Sequence, residues 1–156
     1  MDYLAVTRFN TQTWNEYIRY REKYNINGAC YATPVKITEK VLYHSKLYVF
    51  EMNNDLNLIM GISIIENTHS RGIKHNIYSN YNYNRYNYSG KIRLSREIIC
   101  KKNHALIKVM ERLLFKSSRH YKRGSGIQVI GDKKISELEP YGIFKQKFIT
   151  IVKSVF

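Results

Sequence analysis

The segment LYVFEMNNDLNLIMGISII, residues 47–65, decides the fold. Residues 47–52 and 58–65 are rich in Val, Ile, Phe and Tyr, which favour β-strands. The polar turn Asn53-Asn54-Asp55 lies between them. Two strand-forming runs joined by a short polar turn predict a β-hairpin in the core of a sheet.

Strand and helix signals alternate on the N-terminal side of this hairpin. Residues 3–8 have strand composition. Thr13, with Glu16 three residues later, has the spacing of a capping box and predicts a helix that ends at Asn27-Gly28. Residues 31–35 contain Pro34, which predicts an edge strand or a loop.

The C-terminal half continues the mixture. Residues 91–99 predict a further strand with Lys91 and Arg93 on one side. Apolar residues at helical spacing follow Asn103, which we expect to cap an amphipathic helix. A short strand is expected at 127–130, and the apolar residues between 144 and 155 favour a final helix, with a last strand as the alternative.

The length of 156 residues predicts a single domain, residues 1–156, that can bury a substantial core. The predicted class is α+β, a curved, mostly antiparallel sheet or partial barrel with two or three packed helices. No apolar run reaches the roughly eighteen residues that a membrane span requires, so we expect no membrane span.

Positive charge is concentrated in the second part of the chain. Residues 1–66 carry seven basic and seven acidic side chains, whereas residues 67–156 carry nineteen and five, which accounts for the whole net charge of +14. Such asymmetry indicates a polyanionic partner, nucleic acid or an anionic membrane surface.

The basic region ends in a glycine-rich turn, LFKSSRHYKRGSGI, residues 114–127. Phosphate contacts are one interpretation, because glycine amides can approach a phosphate backbone closely. A solvated helix end is the alternative, since cations there are stabilised by the helix dipole. The candidate phosphate-binding residues of this turn are Lys116, Arg119, Lys122, Arg123, Gly124 and Gly126.

Tyrosines alternate with asparagines in YNYNRYNY, residues 81–88. Tyr83 and Tyr86 are candidates for stacking on nucleic-acid bases, with Arg85 between them and Lys91 and Arg93 following as phosphate contacts. Packing of half of these rings against the sheet is the alternative.

The sequence offers little support for catalysis. Five histidines and two cysteines lack metal-ligand spacing, and neither a P-loop nor a dinucleotide fingerprint is present, so we expect no metal and no cofactor. A nuclease would need paired carboxylates near the basic surface. Glu51 is the one candidate, and a strand-end role suits it better. A non-catalytic protein is favoured, although the question of enzymatic activity stays open.

Two cysteines, Cys30 and Cys100, are too few for a disulfide scaffold, and the N-terminus has no signal-peptide pattern. An intracellular location is therefore expected.

The order of segments resembles the PUA-like superfamily, especially its EVE, YTH and ASCH branches. The residues that carry this resemblance are YLAVTR, the helix headed by TW, the proline segment, residues 46–67 and KIRLSRE, with Gly61-Ile62-Ser63 in the place of a typical GIG strand. It spans residues 3–97 and implies a PUA-like or EVE-like module that binds RNA or modified bases, in some members through an aromatic cage. Trp14, Tyr31 and Tyr48 are the aromatic residues that would line such a pocket.

Three short segments also resemble small basic proteins of large DNA viruses. They are EMNN at 51–54, NYNRY at 82–86 and KRGSGI at 122–127. A viral protein would be found in the host cytoplasm, the host nucleus or the virion. The sequence as a whole predicts non-catalytic binding of RNA or DNA, including nucleic acid that contains a modified base. A structural or DNA-condensing viral protein is the first alternative, and a metal-dependent nuclease is the second.

Overall fold

Seven strands build the described part of the fold, which covers residues 1–68 and 74–156 of a computed structural model. They are β1 (Asp2–Phe9), β2 (Ala29–Thr33), β3 (Lys46–Asn53), β4 (Leu58–Glu66), β5 (Tyr86–Gly90), β6 (Ile92–Ser95) and β7 (Gln128–Val129). The pair β3 and β4 is the predicted hairpin, in antiparallel register from Lys46 opposite Glu66 to Asn53 opposite Leu58. A register shift between Glu51 and Met52 interrupts this ladder.

Five of these strands form a main sheet in the order β6-β4-β3-β1-β7, and β2 pairs with β5 in a second, two-stranded sheet. The main sheet is mixed, since β1 runs parallel to β3 and every other neighbouring pair is antiparallel. The α+β class is therefore confirmed. Within the described residues the sheets do not close into a barrel, and the PUA-like partial barrel stays a prediction.

The described residues also contain four α-helices and three tighter or wider helical turns. The α-helices are α1 (Thr11–Lys23), α2 (Arg96–Glu111), α3 (Asp132–Ile135) and α4 (Lys145–Ser154). The 3-10 helices are Tyr81–Asn84 and Ser136–Tyr141, and a π-helical turn at Arg112–Lys116 continues α2. No helix in this part of the chain is long and apolar enough to cross a membrane.

Three local predictions needed correction. The N-cap of α1 is Asn10 rather than Thr13, because the Asn10 side chain accepts a hydrogen bond from the Thr13 amide at 2.8 Å while the Thr13 hydroxyl accepts from the Asn10 amide at 3.0 Å. Residues 96–99 are helical rather than extended, because Ser95 caps α2 earlier than expected. α1 ends at Lys23 rather than at Asn27-Gly28, because Asn25 takes a left-handed backbone conformation with a φ angle of +51°. The predicted cap at Asn103 is confirmed: its backbone is extended at a kink inside α2, and its side chain accepts from the Leu106 amide at 3.0 Å.

Apolar side chains fill both faces of the main sheet. On one face, alternate residues of β1 and β3 such as Val6 and Phe50 pack with α2, the π-helical turn, α3 and α4. On the other face, Ala5 and Val49 pack with α1 and the two-stranded sheet. Burial on both faces explains why residues 47–50 read as a continuous apolar run. Half of the predicted polar loop at 67–76, residues 69–73, lies outside the described residues, and its described ends contain no helix or strand.

Candidate nucleic-acid interface

A cleft opens at the carboxyl ends of β1 and β2, next to the first turn of α1. Its cavity volume is about 240 Å³. Strand ends and helix starts of this kind often form ligand sites in open sheets, because the strands are rigid and the loops between them can vary. The residues that line the cleft are Thr7, Arg8, Phe9, Asn10, Thr13, Ala32, Thr33, Pro34, Asn54, Tyr78, Tyr83, Lys122, Gly124, Ser125 and Gly126.

The segment Lys122–Gly126, which we call the glycine turn, forms one wall of the cleft. Gly124 and Gly126 have φ angles of +118° and +73°, a region that side chains with a Cβ rarely adopt. A Cβ on Gly126 would lie 2.9 Å from Cγ2 of Val35. The two glycines are therefore required by the path of the chain, which returns from the end of α2 towards β7.

Arg8 holds the glycine turn against the end of β1. Its Nε donates to the carbonyl oxygen of Tyr121 at 2.6 Å, and Nη1 donates to the carbonyl oxygen of Gly126 at 3.3 Å. A third hydrogen bond runs from Nη2 to Oε1 of Gln128. Burial lowers the pKa of this guanidinium, although Tyr121 raises it to a smaller extent. Arg8 thus adds positive charge beneath the turn while it fixes the turn's position.

Asn54, from the hairpin loop, supports the same wall. Its Nδ2 donates to the carbonyl oxygen of Lys122 at 2.8 Å, and its backbone amide donates to the carbonyl oxygen of Phe9 at 2.8 Å. Its Oδ1 is buried and has no hydrogen-bond partner among the described residues. An unsatisfied buried acceptor costs free energy, so a donor that reached this oxygen would be favoured.

Two tyrosines, Tyr78 and Tyr83, also line the cleft. Tyr83 lies in the 3-10 helix Tyr81–Asn84, where its side chain is partly exposed and its ring meets that of Tyr78 edge-on, with centroids 6.1 Å apart. Asn84 fixes this segment, because its buried amide side chain bonds the backbone of Ile77 and Tyr78 at 2.7 to 3.2 Å. Residues 81–88, which the tyrosine–asparagine alternation suits to an extended segment, are helical at 81–84 and form a strand only from Tyr86 onwards.

Of the two predicted stacking residues, Tyr83 lines the cleft and Tyr86 does not. Tyr86 is half-buried in β5, and the Nζ of Lys36 lies 5.5 Å from its ring centroid. Tyr81 is more exposed than either of these tyrosines, but it does not line the cleft.

The predicted phosphate-binding residues fall into three groups. Lys122, Gly124 and Gly126 line the cleft, and Arg123 is exposed between them. Arg85 and Arg119 are exposed close by in sequence, at the end of the 3-10 helix and before the glycine turn. Lys91 and Lys116 line two other surface grooves.

Arg93 belongs to none of these groups, because its side chain is buried and engaged in an ion pair. Its side chain is 7% exposed, and its Nε and Nη2 donate to both carboxylate oxygens of Glu51 at 2.6 to 3.1 Å. Trp14 covers the guanidinium with its ring centroid 5.8 Å from Cζ. The guanidinium of Arg93 is committed to this bidentate, buried pair. It therefore has no free donor face for the predicted phosphate contact.

Glu51 also organises two tyrosines. It accepts hydrogen bonds from the hydroxyls of Tyr31 at 2.7 Å and Tyr17 at 3.1 Å, and the Tyr31 hydroxyl lies 2.6 Å from Oγ of Ser63. Burial, followed by the Glu51 charge, raises the pKa of both tyrosines. We call Glu51, Arg93, Tyr17, Tyr31 and Ser63 the Glu51 cluster. Its polar groups satisfy one another, which suits a structural role.

The three predicted pocket aromatics do not meet. Trp14 and Tyr31 lie on the face of the main sheet that carries α1, with Tyr31 fully engaged by the Glu51 cluster. Tyr48 lies on the other face, where its ring packs edge-on against Phe156 at 5.8 Å. The alternation of side chains along β3 explains the separation, since Tyr48 and Glu51 project to opposite faces. An aromatic cage built from these three rings is therefore wrong for this chain.

In residues 1–68 and 74–156, no group of three or more His, Cys, Asp or Glu side chains is arranged to hold a metal ion. Comparison with known proteins adds no further assignment: no protein-family model matches the chain, and neither curated proteins nor solved structures give a match.

Sequence reasoning missed the contributions of Arg8 and Asn54. Arg8 ends an apolar strand that otherwise contains no cation, and Asn54 occupies a hairpin turn, where asparagine is common for local reasons. The isolated arginine at a strand end was the available signal. The role of this arginine depends on its hydrogen-bond partner, Tyr121, which lies 113 residues away in the sequence.

Proposed function

We propose that this protein binds nucleic acid without catalysis, holding a single-stranded segment in the cleft between Tyr83 and the glycine turn. One observation carries the proposal. A partly exposed tyrosine and a basic glycine turn, about forty residues apart in sequence, line the same cleft. Aromatic stacking combined with a positive backbone-binding surface is the usual chemistry of single-strand recognition.

The glycine turn suits the phosphate backbone. Lys122 and Arg123 supply mobile positive charge, and Gly124 and Gly126 lack the Cβ atoms that would keep a phosphate away from the main chain. The N-terminus of α1 adds a favourable dipole on the same side of the cleft. Asp55 is the nearby carboxylate, but its Oδ2 accepts from the Thr11 amide at 2.8 Å.

The two cleft tyrosines suit an unstacked base. Tyr83 is 42% exposed, so a base can cover its free face while Tyr78 supports its edge. Bases are accessible in this way only in single strands, loops or flipped-out positions.

This proposal includes the predictions from the sequence about the kind of nucleic acid and the location of the protein. RNA and modified-base nucleic acid remain the favoured ligands if the PUA-like relation and the viral relation hold. An intracellular location fits the two cysteines, both of which are free thiols.

A structural, nucleic-acid-condensing role is the second candidate. It is favoured by the dispersion of the cations, because Lys91 and Lys116 lie on grooves other than the cleft. A metal-dependent nuclease is not proposed, since its carboxylate candidate, Glu51, is fully buried and paired with Arg93.

Fluorescence anisotropy with labelled single- and double-stranded RNA and DNA, at two salt concentrations, separates the two candidates. Cleft binding predicts tighter association with a single strand than with a duplex of the same sequence. A condensing protein would bind duplex DNA at least as tightly and would lose no affinity in Tyr83→Ala. Failure to bind any of the four probes at low salt would overturn both.

A further inference from the structure

A second groove, separate from the cleft, lies between the end of α2 and the 3-10 helix Ser136–Tyr141. Its cavity volume is about 440 Å³, within the range of sites that accept an inserted ligand or side chains. Its floor is apolar and is formed by Val109, Leu113, Leu138 and Ile143. Tyr141 adds a ring that is 72% exposed. Leu113 and Leu138 are buried, so the apolar surface open to solvent comes from Tyr141 and the half-buried Val109 and Ile143. Apolar surface left open in a groove marks an interaction surface.

One rim of this groove is a row of cations. Lys108, Arg112 and Lys116 are spaced four residues apart, line the groove and are exposed. Four residues of an α-helix rotate about the helix axis by more than one full turn, whereas four residues of the wider π-helical turn rotate by less than one. The π-helical turn at Arg112–Lys116 therefore brings Lys116 back into line with Lys108.

These three cations have no acidic partner. Among the described residues, none of them forms a salt bridge. Glu137 is the acidic residue of the lining, and it pairs with Lys134 at 3.2 Å instead. A straight row of unpaired positive charge beside an apolar floor leaves a surface complementary to a ligand with an apolar stripe and a parallel row of acids.

We propose that this groove docks an acidic amphipathic helix of a partner protein. Its apolar face would cover Val109, Ile143 and Tyr141, and its Asp or Glu side chains, repeated at every fourth residue, would pair with the row of cations. Helix-in-groove recognition places anchors at this spacing. The proposal is independent of nucleic-acid binding in the cleft.

The chemistry of the floor disfavours other polyanions. A nucleic-acid backbone would gain nothing from a floor of Val, Leu and Ile side chains, which lack hydrogen-bond donors for phosphate. A fatty acid has one carboxylate and would leave two of the three cations unused. Glu137 on the opposite wall further requires that the acids of the partner lie on one side only.

The experiment is a selection from a displayed library of random linear peptides. Wild-type protein is the bait, and the triple variant Lys108→Glu/Arg112→Glu/Lys116→Glu is the counter-selection bait. A matched control is the triple variant Lys101→Glu/Lys133→Glu/Lys147→Glu, which reverses three exposed lysines that do not line the groove. Circular dichroism confirms that both variants fold. We expect the enriched peptides to combine apolar residues and acids at helical spacing, and to bind wild type and the control at least tenfold more tightly than the groove variant.

A second measurement locates the site. Titration of an enriched peptide into ¹⁵N-labelled protein should shift the backbone signals of Val109, Leu113 and Tyr141 and leave those of the glycine turn unchanged. The proposal is overturned if no peptide is enriched over the groove variant, or if the enriched peptides lack acids at helical spacing. It is equally overturned if Tyr141→Ala binds as wild type does, or if single-stranded DNA or anionic phosphatidylserine vesicles displace the peptide and shift the same signals.

Discussion

The Glu51 cluster and the cleft contain the same kinds of side chain but use them in opposite ways. In the cluster, two tyrosine hydroxyls and an arginine are directed at one carboxylate, at distances of 2.6 to 3.1 Å. In the cleft, Tyr83 and Lys122 line a cavity, and the half-buried Arg8 donates to backbone carbonyls. One region satisfies its polar groups internally and the other presents them.

This difference shows what decides whether a basic residue can serve binding. Arg93 and Lys122 both lie in the basic part of the sequence, yet a single acid, Glu51 on β3, removes Arg93 from the surface. The acid is supplied from the neutral N-terminal part of the chain. Net charge by segment therefore indicates the kind of partner, whereas pairing across the sheet decides which cations remain free for it.

The largest expected effect comes from breaking the Glu51 cluster. Glu51→Ala leaves the Arg93 guanidinium buried without its counter-ion, which costs about 3 to 5 kcal/mol of unfolding free energy. Urea denaturation followed by circular dichroism measures this loss. The control is Glu66→Ala, which removes an exposed pair with His44 and should cost less than about 1 kcal/mol. Equal losses in the two variants would show that the cluster is not a buried unit.

The next effect is expected at the glycine turn. Lys122→Ala/Arg123→Ala removes two candidate phosphate contacts, each worth about 0.7 in the log–log salt slope for a single strand. At 0.1 M salt this corresponds to about 25-fold weaker binding if counterion release is the main contribution. Anisotropy titrations over a range of salt concentrations measure both quantities. Lys101→Ala/Lys147→Ala removes the same charge elsewhere, and its salt slope should stay close to that of wild type.

A smaller effect is expected at the cleft tyrosines. Tyr83→Ala should weaken single-strand binding about tenfold, since stacking contributes about 1 to 3 kcal/mol per base and this ring is only partly free. The salt slope should not change, because no charge is lost. Tyr83→Phe should retain the affinity, and Tyr81→Ala, a neighbour outside the cleft lining, should have little effect. Loss of affinity in Tyr81→Ala equal to that in Tyr83→Ala would argue against a defined stacking position.

The smallest effect concerns a thiol beside the Glu51 cluster. Burial raises the pKa of Cys30 to about 11, with the Glu51 charge adding to the shift and Arg21 opposing it. Its thiolate is therefore scarce at pH 8, because the pH lies below the pKa, and the thiol is covered. A thiol-reactive dye at pH 8 should label the partly exposed Cys100 and spare Cys30 until the protein is denatured. Rapid labelling of both would show that this side of the sheet opens readily.

The sequence predicts the strands and helices that have strong local patterns. The hairpin follows from β-branched and aromatic runs around a polar turn, and α4 follows from its apolar stripe. The start of α2 was misplaced because residues 96–99 contain isoleucines that also favour strands, while Ser95 as a cap decides for a helix. Short-range signals compete at such boundaries, and tertiary packing selects between them.

The candidate site was predictable only in part. Tyr83, Lys122, Gly124 and Gly126 carried local signals of their own, but their proximity depends on the order of strands in the main sheet. The burial of Arg93 depends on its register opposite Ser63 on β4, two residues from Gly61, which pairs with Glu51 on β3. Cross-strand pairing of this kind has no signature in a single sequence, because it is set by which strands become neighbours.

Photo-crosslinking tests the central claim, that the cleft binds a single strand, most directly. Single-stranded RNA and DNA probes carrying 4-thiouridine or 4-thiothymidine are irradiated with the protein, and the attached residues are identified by mass spectrometry. The proposed site predicts crosslinks within residues 78–86 and 122–126, with strong reduction in Tyr83→Ala. Crosslinks confined to the surfaces around Lys91 or Lys116, with none at the cleft, would contradict it.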